Sequence, residues 1–295
     1  MMLILHVLIL SLLSGGSAEV VTDFESKCGQ FFAHGKSPTK FTGTQYRQIC
    51  QTLNNVVYFA TFYDTYNKIP VYSAYKFEGI KNCKRLNKWY IEPQLDVNNG
   101  SSSMKLEDVQ IQGFGDHQAL NSDYSTSGHD KGHLAPVLQA NSQDCADATF
   151  TLTNAAPQNP SFNRGKWKEL EGQIAKDLSA QCLQKYSVYI VTGVVPDNTT
   201  KLNNRVNVPS HFWTAYCCLD QNNKCQISNG FIGKNENITP EEKTVKNLET
   251  ELTTLYKTSF EVFEPTAHPP SQKRRMESES ESKNKMLKNK KLTDV

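Results

Sequence analysis

Asp130-Lys131-Gly132-His133 is followed within forty positions by Asn154, Asn163 and Glu171. These residues bring together one imidazole, two amides and two carboxylates. The stretch holds no G-x-S-x-G turn for a serine nucleophile and no Gly-rich phosphate loop. Amide and carboxylate oxygens suit a hard divalent cation. A neutral imidazole, with an ordinary pKa of ~6.5, can take a proton from water at physiological pH. One cation and one general base are what in-line hydrolysis of a phosphodiester needs.

His133 is the candidate base. Gly132 beside it permits a close backbone approach or a tight turn. Asp130 can orient the imidazole or hold the local turn, and Lys131 adds a positive charge. His129 lies four residues before His133, but Gly128, Gly132 and Pro136 argue against a helix there, and no H-E-x-x-H pattern is present. His129 therefore reads as an ordinary residue. Asn163 stands just before a predicted helix, where Asn is also a favoured N-cap. If Asn163 and Glu171 were both on one α-helix, they would lie ~12 Å apart along the axis and ~80° apart around it. They would then not share an ion directly; Glu171 would hold a metal-bound water instead. Asn154 reads either as support behind the site or as a strand-end amide.

The segments DYSTSGHDKGHLAP, TNAAPQNPSFNRGKWKELE and VPSHFWTAYC resemble the DNA/RNA non-specific endonucleases of the ββα-metal type, whose motif is D-R-G-H. The resemblance runs from about Val56 to Phe263. It implies a ββα-metal nuclease core, with His133 as general base, Asn163 as the metal ligand, Glu171 as the residue holding water, and Asn154 as the first motif asparagine. It also implies one Mg²⁺, with Mn²⁺ able to substitute, DNA and RNA as substrates, and 5′-phosphate products. Two positions depart from the family pattern. Lys131 replaces the usual Arg, which loses a planar bidentate contact to phosphate. Ala175 occupies the position of a later Arg, leaving Lys176 or Arg164 as weaker candidates for contacting phosphate. These departures and the acidic body favour a rival reading, an extracellular binding module that keeps the fold with weak or no activity. The intact His133, Asn163 and Glu171 favour the enzyme. A metal-dependent phosphodiesterase for small phosphate esters is a third reading.

The elements that must carry these residues read as α+β, a mostly antiparallel central sheet flanked by helices. Val56 to Tyr63 and Pro70 to Phe77 are aromatic and β-branched around a polar turn, as in a hairpin. Phe150 to Thr153, Val188 to Thr192 and His211 to Cys217 are further expected strands. Trp167, Leu170, Ile174, Leu178 and Cys182 recur at helical spacing and predict a helix over 166–183. Thr239-Pro240-Glu241-Glu242 has the form of a capping box and predicts a helix opening there and running to about Tyr256.

Residues 1–18 read as a signal peptide: an apolar run from Leu3 to Leu13, too short to span a bilayer, then small residues ending at Ala18. Residues 19–264 read as one endonuclease domain and 265–295 as a disordered charged tail. Eight cysteines in an exported chain predict disulfides, and the absence of C-x-x-C argues against zinc. The whole chain is +2 and the tail, with eight Lys/Arg and four Asp/Glu, is +4. The uncharged first eighteen residues leave the body at −2, so any basic footprint for nucleic acid must be local. Asn99, Asn198 and Asn237 are glycosylation sequons. Asn237 is expected to be the least accessible, because Thr239 is expected to cap a helix. The chain is expected to be secreted, with no membrane span; its oligomeric state is open.

Overall fold

The computed structural model describes residues 19–107, 113–197 and 199–264. Residues 1–18, expected to be a signal peptide, residues 265–295, expected to be a charged tail, and Asn198 lie outside the described residues. The strands are β1 (Val20–Val21), β2 (Tyr46–Leu53), β3 (Val56–Asp64), β4 (Ile69–Phe77), β5 (Tyr90–Ile91), β6 (Lys105–Leu106), β7 (Asp130–His133), β8 (Ala155–Gln158), β9 (Ser187–Val195), β10 (Lys201–Leu202), β11 (Val206–Asn207), β12 (His211–Leu219), β13 (Cys225–Lys234) and β14 (Glu241–Lys243). The helices are α1 (Phe24–Cys28), α2 (Pro93–Asp96), α3 (Asn121–Tyr124), α4 (Gln143–Ala148), α5 (Pro160–Phe162), α6 (Lys168–Gln181) and α7 (Val245–Tyr256).

Eight strands form one sheet in the order β1-β2-β3-β4-β9-β12-β13-β14. Every neighbouring pair is antiparallel. The fold is therefore α+β with a large antiparallel sheet. Alternation along the strands supplies two apolar faces. Phe62, Tyr72, Trp213 and Ile232 pack with Phe24 of α1 and with Leu248 and Leu252 of α7. Phe59, Tyr75, Phe77 and Ile190 pack with Ile174, Ala175 and Leu178 of α6. Helices thus cover both faces, and α6 fixes the side on which the candidate residues lie.

The expected 56–63/70–77 hairpin is β3 and β4, with Ala60 opposite Ala74. The expected strands at 188 and 211 are present as β9 and β12. Two expectations change. Leu152–Asn154 is a 3₁₀ turn, and the strand begins only at Ala155. The turn is fixed by tertiary bonds, with Thr151 and Thr153 both donating to Glu92 Oε1, at 2.7 and 2.9 Å. The helix expected from Thr239 begins instead at Val245. Glu241–Lys243 pairs along β13, and Thr244 caps the helix by accepting from the Asn247 N–H. Edge pairing overrides the local capping signal.

The structure joins six of the eight cysteines: Cys28–Cys50, Cys182–Cys218 and Cys217–Cys225. Cys83 and Cys145 are free thiols. Cys217 and Cys218, adjacent on β12, point to opposite faces and bond to different elements.

Candidate active site

β7 and β8 form a separate antiparallel pair, with Asp130 opposite Gln158 and His133 opposite Ala155. The chain then runs directly into α5 and α6, which completes a ββα unit. Gly132 is needed because the Gln158 side chain lies across it: a Cβ there would sit 2.2 Å from Gln158 Oε1. The unit borders a cavity of about 720 Å³ lined by Asp130, Lys131, His133, Asn163, Arg164 and Glu171, together with Arg85, Trp89, Tyr124, His129 and Lys168.

The His133 ring is wedged between Trp89 and Phe150, each with its centroid 4.8 Å away. It is 8% exposed. Burial pushes its pKa down to about 3, and Arg85 and Lys131 act in the same direction. The imidazole is therefore neutral, and its buried Nε2 has no hydrogen-bond partner. A phosphate anion against the ring would raise its basicity again.

Asp130 accepts bonds from Asn163 Nδ2 at 2.9 Å and from Arg164 Nε and Nη2 at 2.8 and 2.6 Å. Burial raises its pKa, but these partners outweigh it and hold the carboxyl below its usual range. The contact also orients Asn163. A carboxylate only accepts, so the amide nitrogen must face Asp130 and Oδ1 must turn away. No described residue bonds that oxygen. Nor is Asn163 the helix cap: Asn159 takes that role, accepting from the Ser161 and Phe162 N–H groups.

Asn163–Trp167 forms a π-helical turn, with Gly165 at φ −108° and ψ −108°. This corrects the helical-wheel expectation. The wider turn absorbs about one residue, so eight positions rotate like seven and the ~80° offset falls to about 20° in the opposite sense. Asn163 and Glu171 consequently line the same cavity. Burial pushes the Glu171 carboxyl up to about 8, opposed by Arg85, the Trp167 indole and Lys168.

The remaining sequence candidates divide. Lys131 Nζ bonds Asn121 Oδ1 and lies 5.1 Å from the Trp89 ring centroid and 5.7 Å from that of Tyr124. Arg164 lines the cavity, but its fork is committed to Asp130. Lys176 does not line the cavity: it is solvent-exposed, five residues beyond Glu171 and so about 140° around the helix. Ala175, on the Glu171 side, is fully buried in the core. Asn154 does not reach the cavity either. Its Oδ1 accepts from Ser73 Oγ and the Ala135 N–H, and its Nδ2 donates to the Ala135 and Thr149 carbonyls. Two of these bonds grip Ala135, two residues past His133, and the others tie Asn154 to Ser73 of β4 and to Thr149. Asn99 and Asn237 are both exposed, which corrects the expectation for Asn237: Thr239 caps nothing, and the sequon lies in the turn between β13 and β14.

Sequence reasoning missed Arg85, Trp89 and Lys168. The one available signal was the basic run KNCKRLNK, with four Lys/Arg in eight residues of an otherwise acidic body. Among the described residues no three His, Cys, Asp or Glu side chains gather as a metal-ligand cluster. The donors are one amide oxygen and one carboxylate, a set that fits Mg²⁺, which keeps several waters.

A family model described as DNA/RNA non-specific endonuclease matches residues 37–261. The human Endonuclease domain-containing 1 protein is 34% identical over 196 residues, covering 65% of this chain and 39% of that protein. Bovine mitochondrial Endonuclease G is 35% identical over 129 residues, 39% of this chain and 41% of that protein. In both cases the match spans about two fifths of the relative's length. A solved structure of EndoG in complex with EndoGI aligns with a TM-score of 0.49 at 20% identity, covering 78% of this chain and 90% of that one.

Proposed function

The chain belongs to the DNA/RNA non-specific endonuclease family, and from that premise we propose a secreted, metal-dependent enzyme that hydrolyses phosphodiester bonds of DNA and RNA with little sequence preference. One observation carries the reading: the ring of a neutral His133 and the outward Oδ1 of Asn163 line the same cavity. The neutral His133 imidazole accepts a proton from water at its open ring nitrogen as the water oxygen attacks phosphorus. The bond from phosphorus to the 3′ oxygen breaks, leaving a 5′-phosphate and a 3′-hydroxyl. Asn163 and, through water, Glu171 would hold one Mg²⁺, or Mn²⁺ in its place; when bound, the cation supplies charge neutralisation at the phosphate and the leaving oxygen. Asp130 keeps Asn163 turned to the cavity, and Asn154 keeps the strand of His133 in place. Lys131, Arg85 and Lys168 supply positive charge for the polyanion, in place of the arginines the family uses.

Residues 1–18 as signal peptide, 19–264 as the nuclease domain and 265–295 as a charged tail complete the proposal. The three disulfides and the exposed sequons at Asn99 and Asn237 support export. Supercoiled plasmid digestion by the oxidised protein, with Mg²⁺ and with a chelator, tests the reading. Nicking and linearisation in Mg²⁺ alone is the expected result. Plasmid binding without cleavage would favour the non-enzymatic module, which the buried Ala175 at the family's arginine position also favours.

A further inference from the structure

A second cavity of about 500 Å³ lies across α3 from the first. Asn121 and Tyr124 of α3 line the first cavity. Asp123 of the same helix accepts at 2.9 Å from Nε of Arg205, which lines the second. One short helix therefore separates the two.

The second cavity gathers Arg47, Lys68, Lys201 and Arg205 around Tyr66, with Asp116 as its single lining carboxylate. Arg205 is paired with Asp123. Among the described residues, Arg47, Lys68 and Lys201 have no carboxylate partner within ion-pair distance. Burial, and then the charge of Arg205, holds the Lys68 ammonium below its usual range, against the opposing charges of Asp123, Asp96 and Asp116.

Tyr66 is 68% exposed, and no other described aromatic is so open to solvent. The turn that presents it is rigid. Asp64 Oδ1 accepts from the Tyr66 and Asn67 N–H groups at 2.9 and 3.1 Å. Thr65 donates its N–H and hydroxyl to the Gln45 carbonyl, and the Asn207 N–H donates to the Asn67 carbonyl at 2.9 Å. Lys201 Nζ stands 4.7 Å from the Tyr66 ring centroid. A fixed, exposed ring among unpaired cations has the form of a stacking platform for unpaired bases.

We propose that this patch is a second binding site for nucleic acid, taking a single-stranded segment with a base stacked on Tyr66 and phosphates at Arg47, Lys68 and Lys201. It rests on the nuclease reading and extends it: a strand held at the first cavity continues past α3 to the second. A helix is about 10–12 Å across, on the order of three to four phosphates of a stacked strand. Substrates shorter than that gain nothing from the patch.

The test is fluorescence anisotropy on the full-length protein in chelator, so that no turnover intervenes. The probes are a labelled oligothymidylate of about 20 nucleotides and a labelled trinucleotide. Wild type is compared with Tyr66→Ala and with Lys68→Glu/Lys201→Glu, each checked for an unchanged melting temperature. Tyr66→Ala should weaken binding of the long probe on the order of ten-fold. The double reversal should lower its salt dependence by about two charges. Neither should alter trinucleotide binding. Wild-type affinity in both variants, or equal losses on both probes, overturns the proposal. A salt effect without a Tyr66 effect overturns the single-strand assignment. Because cleavage is not read, a protein that binds as stated but never cuts plasmid refutes the nuclease reading and leaves this site standing.

Discussion

The two faces of the central sheet treat polar groups differently. On the α7 face, the Trp213 indole N–H donates to Tyr256 Oη at 2.9 Å, and that hydroxyl donates to the Val194 carbonyl at 2.8 Å. Tyr72 Oη donates to the Pro38 carbonyl at 3.1 Å. These three polar tips are bonded and sit among aromatic rings. On the α6 side, Tyr124 Oη, His133 Nε2 and both amide atoms of Gln158 are buried without partners. An unpaired buried polar atom costs about 1–3 kcal/mol. Of these residues, Tyr124 and His133 line the cavity. One face is organised for stability; the other keeps hydrogen-bonding capacity for a ligand.

The largest test of that contrast exchanges the faces. His133→Gln, which keeps most of the volume between Trp89 and Phe150, should lower turnover by about 10²–10⁴-fold with little change in melting temperature. Trp213→Ala should do the reverse, losing about 3–5 kcal/mol of stability while each folded molecule keeps its rate. Plasmid kinetics beside thermal melts read both, and a Trp213 variant that stays stable but inactive would break the contrast. Next, Asn163→Ala should abolish Mg²⁺-dependent cleavage and weaken Mg²⁺ binding in calorimetric titration, whereas Asn163→Asp should keep part of both. Unchanged Mg²⁺ affinity in the Ala variant would reduce Asn163 to a partner of Asp130.

A smaller effect concerns pH. His133 has its folded pKa depressed to about 3, against about 6.5 when unfolded. Between these values the unfolded chain binds more protons, so stability should fall as pH drops from 6.5 towards 3, by at most about 1.4 kcal/mol per pH unit from this group. Denaturant melts of His133→Gln in metal-free buffer should lack this share of the slope; an identical slope would mean another group carries it. The smallest effect is chemical. Burial raises the Cys145 thiol to about 11, whereas Cys83 is part-exposed. Alkylation of the folded protein should label Cys83 first, as peptide mass mapping would read.

The sequence made the strands of the sheet core legible because β3, β4, β9 and β12 are continuous β-branched and aromatic runs. His133, Asn163 and Glu171 were legible as residue types, and the cavity unites them. Their phase was not. A π turn has no strong sequence signature beyond a glycine, and ideal helical geometry separated Asn163 from Glu171. Arg85 was invisible because it reaches the cavity from a segment without regular structure, far away in sequence. The start of α7 was misplaced because Thr239-Pro240 carries a sound local signal and β13 offers Glu241–Lys243 a partner that no local rule contains. Lys176 fell out for a plain reason of angle, five residues being the wrong number for a helical face.

Cys217 and Cys218 have a mechanical consequence. Force entering after α6 passes from Cys182 to Cys218 and from Cys217 to Cys225, through covalent bonds that meet at neighbouring residues of one strand. β9, β10 and β11 lie within the closed loop and carry no tension. A pull on the ends of the chain can draw out the flanks, but the four-strand span from β9 to β12 cannot lengthen until a disulfide is reduced.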